Sequence, residues 1–143
     1  MDKHLDPIRR KLVEATPEEA VRQELVAWLH ERCGVPLHLM ETECSLSNFQ
    51  AQVPGRVDVL VHGVRQGNAR RPWLLAECKR PGESDWMRLE VQVNRYLRVL
   101  QPNFLLLQIG AERRIYQMNW NLQNKAQPTA ISDLPHFPSG DTP

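Results

Sequence analysis

The stretch Trp73-Leu74-Leu75-Ala76-Glu77-Cys78-Lys79-Arg80-Pro81-Gly82 decides the fold of this chain. Its first four residues are apolar, which predicts a buried strand over residues 73–79, and the Pro-Gly pair ends that strand. Because side chains alternate across a strand, Glu77 and Lys79 project from one face and Cys78 from the other. Two ionisable groups beside Trp and Leu are costly to bury unless they pair or hold a metal. The stretch therefore predicts a charged site built into a sheet.

A second apolar run upstream carries one acid in its middle. The sequence Val57-Asp58-Val59-Leu60-Val61 predicts a strand over residues 56–62. A carboxylate on one strand and an acid-x-lysine on the next is typical of a metal-dependent phosphodiesterase, in which the acids hold Mg²⁺ and the lysine orients or deprotonates the attacking water. Glu-x-Lys is also a common tripeptide, and on a half-exposed strand it is usually a solvated ion pair. These residues by themselves leave both interpretations open.

Length and composition limit the class of protein. With 143 residues and a formal charge of +1, the chain is one domain without a global electrostatic drive toward nucleic acid, so any such surface must be local. Cys33, Cys44 and Cys78 are odd in number and lack CxxC spacing, which indicates neither a disulfide framework nor a zinc site. The sequence begins without a signal-peptide pattern and has no stretch of transmembrane length. A reduced, cytoplasmic setting is the default expectation.

The N-terminal third predicts two helices. Apolar residues among charges suggest a short amphipathic helix over residues 5–15. A second helix starts at Thr16-Pro17, where Thr16 caps and Glu19 completes a capping box, and it ends at Gly34.

Beyond this helix the sequence predicts several strands, one further helix and an irregular tail. A helix starting at Ser84 or Asp85 keeps helical apolar spacing as far as Leu100. Four prolines from Gln127 onward suggest an irregular tail. Besides the two strands already described, the pattern predicts a weak strand over 37–46, a loop over 47–55, a buried strand over 104–109 and a final strand over 114–120. The order predicts an α/β sandwich: three antiparallel strands, a helical crossover and a fourth strand, in a mixed sheet between helices.

This order of elements, with an acid in the second strand and Glu-x-Lys in the third, resembles the PD-(D/E)xK nuclease superfamily. More closely, the chain is similar to the N-terminal nuclease domain of the type I restriction enzyme R subunit, in a stand-alone form. The resemblance implies a restriction-endonuclease-like αβββαβ core, a mixed four- to five-stranded sheet flanked by helices, one domain over residues 1–126 and an irregular tail over 127–143. Four segments in the right order carry it: Thr16-Pro17-Glu18-Glu19-Ala20-Val21-Arg22-Gln23, Arg56-Val57-Asp58-Val59, Leu74-Leu75-Ala76-Glu77-Cys78-Lys79 and Gln92-Val93-Asn94-Arg95-Tyr96.

The resemblance also implies a role for each site residue. Asp58 is expected to be the central ligand of Mg²⁺, for which Mn²⁺ can substitute, and Glu77 the second ligand, assisted by the backbone carbonyl of Cys78. Lys79 is expected to position the water and stabilise charge on the phosphate. Glu19 has two interpretations: a further metal ligand from the first helix, or only the third position of a capping box.

Accessory residues follow from the same resemblance. Gln92 and Tyr96 match a QxxxY element, and their spacing places both on one helical face, where they brace the site or touch DNA. Arg88 lies near the same stripe, and the charge of Lys79-Arg80 suggests a local phosphate-binding edge, so Arg80 and Arg88 are expected to contact the DNA backbone, although loop arginines are usually only solvated. Where many relatives have Thr-Asn-Gly after the fourth strand, this chain has Gln108-Ile109-Gly110.

Three functional hypotheses remain open. The leading one is a Mg²⁺-dependent nuclease that hydrolyses DNA phosphodiesters in restriction, defence or repair. The second is a catalytically idle nuclease fold that binds nucleic acid or assembles with a helicase or methyltransferase. The third is a nuclease subunit that needs such a partner, or a second copy of itself, to act. Since the sequence has no Walker-type phosphate loop, we expect no nucleotide cofactor and no ATP-driven activity from this chain alone.

Overall fold

A computed structural model describes residues 3–63, 71–82 and 85–138 of the chain. Ser84 and most of the connection predicted between the two central strands lie outside these residues. Neither helix in the described ranges is long and apolar enough to cross a membrane.

The elements are β1 (Lys3–Asp6), β2 (Lys11–Glu14), α1 (Pro17–Glu31), β3 (Met40–Ser45), β4 (Arg56–His62), β5 (Pro72–Lys79), α2 (Trp86–Leu97), β6 (Phe104–Ile109), β7 (Glu112–Trp120) and β8 (Ala126–Ile131), with short 3₁₀ turns at Leu37–Leu39 and Leu46–Asn48.

The main sheet is mixed and has six strands in the order β3-β4-β5-β6-β7-β8. Strands β3, β4 and β5 form the predicted antiparallel meander. Helix α2 then crosses over the sheet, so β6 pairs parallel with β5, from Leu74 opposite Phe104 to Lys79 opposite Ile109. The prediction of an α/β fold with a mixed sheet is confirmed, but the predicted sheet of four to five strands was too small.

The two helices cover opposite faces of this sheet. Residues of α1 and α2 belong to separate apolar clusters, each packed on a different set of strand residues. Because both faces are covered, the central strands are continuous apolar runs rather than alternating ones. The α1 cluster includes Leu25, Leu29, Val59, Leu74, Ala76 and Leu106, and the α2 cluster includes Leu89, Val93, Leu60, Leu75, Leu105 and Leu107.

The predicted leading helix over residues 5–15 was wrong. Strands β1 and β2 form a separate two-stranded hairpin there, with Leu5 opposite Leu12. The reason is the Asp6-Pro7 pair, because the residue before a proline is disfavoured in the helical region. The Asp6 Oδ1 atom instead accepts the backbone N–H groups of Ile8 and Arg9 at 2.8 and 3.0 Å, which closes the turn.

The predicted irregular tail was wrong for its first part. Strand β8 pairs with β7 from Ala126 to Ile131, and Pro128 is accommodated because β8 is an edge strand. Beyond β8, Leu134 and Phe137 are buried in the α1 cluster, and the Phe137 ring packs edge-on against Trp73 at 5.0 Å. Residues 139–143 of the tail lie outside the described residues, and the predicted domain boundary at residue 126 stays a prediction.

Candidate active site

Main-chain pairing between β4 and β5 stops next to the two predicted metal-binding acids. The ladder joins Leu60 to Leu75 and Val59 to Ala76, and it continues no further in this direction. The next position would set Asp58 opposite Glu77. Both strands run on past this point, β4 paired with β3 and β5 paired with β6. The β4–β5 ladder therefore opens at the two acids.

The two acidic side chains take over the hydrogen bonds that the main chain leaves open. The Asp58 Oδ2 atom accepts the backbone N–H of Cys78 at 2.9 Å. In return, the Glu77 Oε1 atom accepts the backbone N–H of Asp58 at 2.9 Å. Each carboxylate is thus fixed by the other strand's backbone, and the two lie side by side.

This arrangement concentrates negative charge in a buried place. Glu77 is 2% exposed. Burial raises the pKa of the Glu77 carboxyl well above its usual range, and the Asp58 carboxylate adds to this rise, while the Asp58 N–H and the Lys79 ammonium oppose it. Burial also raises the pKa of the Cys78 thiol, which makes it a packing residue rather than a nucleophile.

Lys79 lies at the end of β5, close to the start of α1. Its side chain is 28% exposed, and its Nζ atom lies 3.8 Å from the Glu18 Oε1 atom. Glu18 belongs to the first turn of α1. Lys79 therefore pairs with Glu18 while its side chain stays partly accessible to solvent.

Glu19, in the first turn of α1, makes three structural contacts. Its backbone N–H donates to the Thr16 Oγ1 atom at 3.1 Å, which confirms Thr16 as the helix cap. Its buried carboxylate pairs with Arg9 through one oxygen and with Arg22 through the other. A metal-binding role for Glu19 stays a prediction, and it would have to share these oxygens with two guanidinium groups.

Helix α2 carries both residues of the QxxxY pair on one face. Gln92 Nε2 donates to the Tyr96 hydroxyl at 2.9 Å, and Tyr96 is buried. Burial raises the pKa of this hydroxyl, the Gln92 hydrogen bond lowers it, and the charges of Glu77 and Asp58 raise it further. The phenol therefore lies within electrostatic reach of the two acids.

The two predicted arginine contacts lie at the surface. The Arg88 side chain is 87% exposed, and its Nε atom lies 3.7 Å from Asp85, the cap of α2. Arg80 is also exposed, directly after Lys79. Both side chains are exposed at the surface, and the Arg88 ion pair is made with Asp85 rather than with the two acids.

Sequence reasoning missed Arg22 and Glu18 as neighbours of the site. The Arg22 Nη2 atom lies 3.2 Å from the Asp58 Oδ1 atom, although α1 and β4 are far apart in sequence. One signal could have found Arg22: it stands three residues before Leu25 and seven before Leu29, on the buried stripe of the helix. A charged residue on an apolar stripe indicates a buried partner.

The donor chemistry of the Asp58–Glu77 pair fits a divalent cation. Carboxylate oxygens carry two lone pairs each, so they can keep their backbone hydrogen bonds and still bind Mg²⁺. A second negative charge beside Asp58 is unfavourable, as the raised pKa of Glu77 indicates, and a cation would remove that cost. Across the described ranges, no three His, Cys, Asp or Glu side chains come together as a metal-binding group. The structure therefore brings together two of the predicted donors, the carboxylates of Asp58 and Glu77, while the Cys78 carbonyl and Glu19 stay predicted ligands.

Comparison with known proteins gives one match. The family model for the type I restriction enzyme R protein N terminus matches residues 17–135. This span begins with α1, includes the whole six-stranded sheet and leaves out the β1–β2 hairpin. No curated protein and no solved structure shows significant similarity to the chain.

Proposed function

The chain belongs to the family of type I restriction enzyme R protein N termini, and from this premise we propose that it is a Mg²⁺-dependent deoxyribonuclease. In this proposal the reaction is hydrolysis of DNA phosphodiester bonds in restriction, defence or repair. The fold is then that of a restriction-endonuclease-like core, with the order α-β-β-β-α-β over α1 to β6.

One observation carries the proposal: the β4–β5 ladder opens where Asp58 and Glu77 meet. Two carboxylates that the backbone holds side by side, with Glu77 buried where its own charge is unfavourable, are suited to bind a divalent cation. A purely structural sheet would gain stability from closing this ladder with apolar residues. A metal-binding role would explain why the sheet forgoes this stability.

Each site residue then has a task. Asp58, Glu77 and the Cys78 carbonyl would hold Mg²⁺, which supplies a Lewis acid for phosphate oxygens and lowers the pKa of water. The Lys79 ammonium donates a hydrogen bond through Nζ, which can orient the attacking water and offset charge on the phosphate in the transition state. Glu18 limits the positions that Nζ samples. The Gln92–Tyr96 pair on α2, joined by a hydrogen bond, would brace the site.

DNA contacts are assigned to two exposed arginines. Arg88 has a largely exposed guanidinium, and Arg80 follows the catalytic lysine directly. Arginine forks match phosphate oxygens in geometry and charge, so these residues would position the DNA backbone rather than read its bases. Their contribution should weaken as salt concentration rises.

Assembly is part of the proposal. One such site cuts one DNA strand, so cleavage of both strands requires a second cut. Two forms of assembly are consistent with it: a homodimer, and a complex with a helicase or methyltransferase subunit. Sedimentation of the purified chain, alone and with DNA, distinguishes the homodimer from a monomer that depends on a partner.

The test is cleavage of plasmid and single-stranded DNA in Mg²⁺ or Mn²⁺ by the wild type, Asp58→Ala and Lys79→Ala. We expect metal-dependent cleavage by the wild type and a loss of at least about 100-fold in both variants. Lys125→Ala is the matched control, because Lys125 is exposed in the β7–β8 connection, at the opposite end of the sheet from Lys79.

Different outcomes separate the competing functions. Equal cleavage by wild type and both variants would indicate a contaminating nuclease and refute the assignment. No cleavage together with no Mn²⁺ binding by the folded wild type would favour the idle module that binds nucleic acid or a partner protein. Mn²⁺ binding without cleavage would point to a missing partner.

A further inference from the structure

Arg22 is a buried cation without a role in the scheme above. The residue is 6% exposed, on the face of α1 that packs against the sheet. Its Nη2 atom lies 3.2 Å from Asp58 Oδ1, and its Nη1 atom pairs with Glu19 and lies 3.5 Å from Glu43 Oε1. Burial lowers the pKa of Arg22, but the carboxylates of Asp58 and Glu19 more than offset this, so its pKa is raised.

With Arg22, both oxygens of Asp58 are held from different elements. The Cys78 N–H from β5 binds Oδ2, and the Arg22 guanidinium from α1 binds Oδ1. Both contacts restrict rotation about χ2 of Asp58, a torsion angle that otherwise has a broad distribution. The plane of the Asp58 carboxylate is thereby fixed relative to Glu77.

Arg22 is itself held by a chain of ion pairs. Glu19 binds both Arg22 and Arg9, and Arg9 also pairs with Asp6, which is fully buried in the turn of the β1–β2 hairpin. A guanidinium fixed in this way cannot swing away from Asp58 without breaking buried ion pairs. The Glu19 charge also offsets the repulsion that Arg22 would exert on a cation at the site.

We propose that Arg22 is a positioning residue, which orients the Asp58 carboxylate for binding of the divalent cation. The inference rests on the proposed function, because it assigns Arg22 a task at the same metal site. Groups that orient a metal ligand typically affect metal affinity by about 10–100-fold when they are removed. Arg22 should therefore change how tightly the metal binds more than how fast the loaded site reacts.

Calorimetric titration with Mn²⁺ tests this inference. We expect Arg22→Met to weaken Mn²⁺ binding by at least about 10-fold, and Arg22→Lys, which keeps the charge but loses the fork geometry, to have an intermediate effect. Arg113→Met is the matched control, because Arg113 pairs with Glu24 at 2.6 Å and stacks on Trp28 without contacting the acids. That variant should bind Mn²⁺ within about twofold of the wild type.

Cleavage at saturating Mn²⁺ gives the second readout. We expect Arg22→Met to need more Mn²⁺ for half-maximal cleavage but to approach the wild-type rate once the metal saturates. Unchanged Mn²⁺ affinity would overturn the positioning role, whether or not the maximal rate is lower. If Arg22→Met does not fold, Arg22→Lys decides, and wild-type affinity in that variant would overturn the inference. A wild type that binds no Mn²⁺ would refute the proposed function as well, whereas wild-type binding with unaffected Arg22 variants refutes only the role of Arg22.

Discussion

Replacing Glu77 by glutamine should stabilise the metal-free protein. Glu77 is 2% exposed and lies beside the Asp58 carboxylate, and both burial and that charge raise its pKa. Glutamine has nearly the same shape, keeps an oxygen to accept the Asp58 N–H, and offers an N–H group to the Asp58 carboxylate. The change therefore removes a buried charge without opening a cavity.

The pH dependence follows from the direction of this shift. Because the folded protein binds the Glu77 proton more tightly than the unfolded chain, the carboxyl contributes full stability below the pKa of an unfolded glutamate. This contribution is lost as the pH rises through the raised pKa of the folded state. The advantage of Glu77→Gln should therefore be small at about pH 4 and reach its full size above the raised pKa.

Each unit of pKa shift is worth about 1.4 kcal/mol, and replacing buried charges by neutral groups often gains about 1–4 kcal/mol. We expect Glu77→Gln to raise the free energy of unfolding by about 1–3 kcal/mol in EDTA at about pH 8, which is about 3–9 °C in Tm for a domain of this size. Saturating Mn²⁺ should reverse the trend, because binding at 100 times Kd stabilises the wild type by about 2.7 kcal/mol and the variant by much less.

Thermal unfolding followed by circular dichroism, with and without EDTA, measures these differences. Glu90→Gln is the control, since Glu90 is an exposed glutamate on α2 with a 3.9 Å ion pair to Arg114. A Glu77→Gln protein that is less stable than the wild type in EDTA at about pH 8 would refute the reasoning. A stability difference that does not change with pH would refute it too.

Two further predictions concern the fold. Gly34→Ala should lower the free energy of unfolding by about 1–2 kcal/mol, because Gly34 has φ +73° and a Cβ atom would lie 2.3 Å from the His136 ring; urea unfolding measures this, and an unchanged midpoint would contradict it. Phe137→Ala should cost about 3 kcal/mol, because Phe137 is buried against Trp73, whereas Leu122→Ala at a fully exposed position should change stability by less than about 0.5 kcal/mol. Equal urea midpoints for these two variants would show that the segment after β8 does not contribute to the core.

The sequence predicts the central strands well for a physical reason. Residues 56–62 and 104–109 are apolar runs that the two helices cover from both sides, so burial alone defines them. Asp58 and Glu77 can be identified from the sequence for the same reason, since an acid within a buried apolar run needs a partner. That the two acids meet was therefore predictable, although the hydrogen bonds that fix them were not.

Other parts depend on contacts that a local pattern does not contain. Leu5 and Leu12 have a spacing compatible with a helix, but in the hairpin they pair across two strands. Strand β8 has mostly exposed side chains, and it forms because its backbone pairs with β7. Likewise, Arg9 reaches Glu19 only once the hairpin packs beside α1, so the ion pairs behind Arg22 could not be predicted from spacing.

Anomalous diffraction from crystals soaked in Mn²⁺ tests the proposed metal centre directly. We expect one strong anomalous peak about 2.0–2.3 Å from a carboxylate oxygen of Asp58, a carboxylate oxygen of Glu77 and the backbone carbonyl oxygen of Cys78. The peak should be absent from crystals of Asp58→Ala grown and soaked in the same way. Wild-type crystals without a peak between these groups, or with the peak bound elsewhere on the chain, would contradict the assignment of the open β4–β5 ladder as a metal centre.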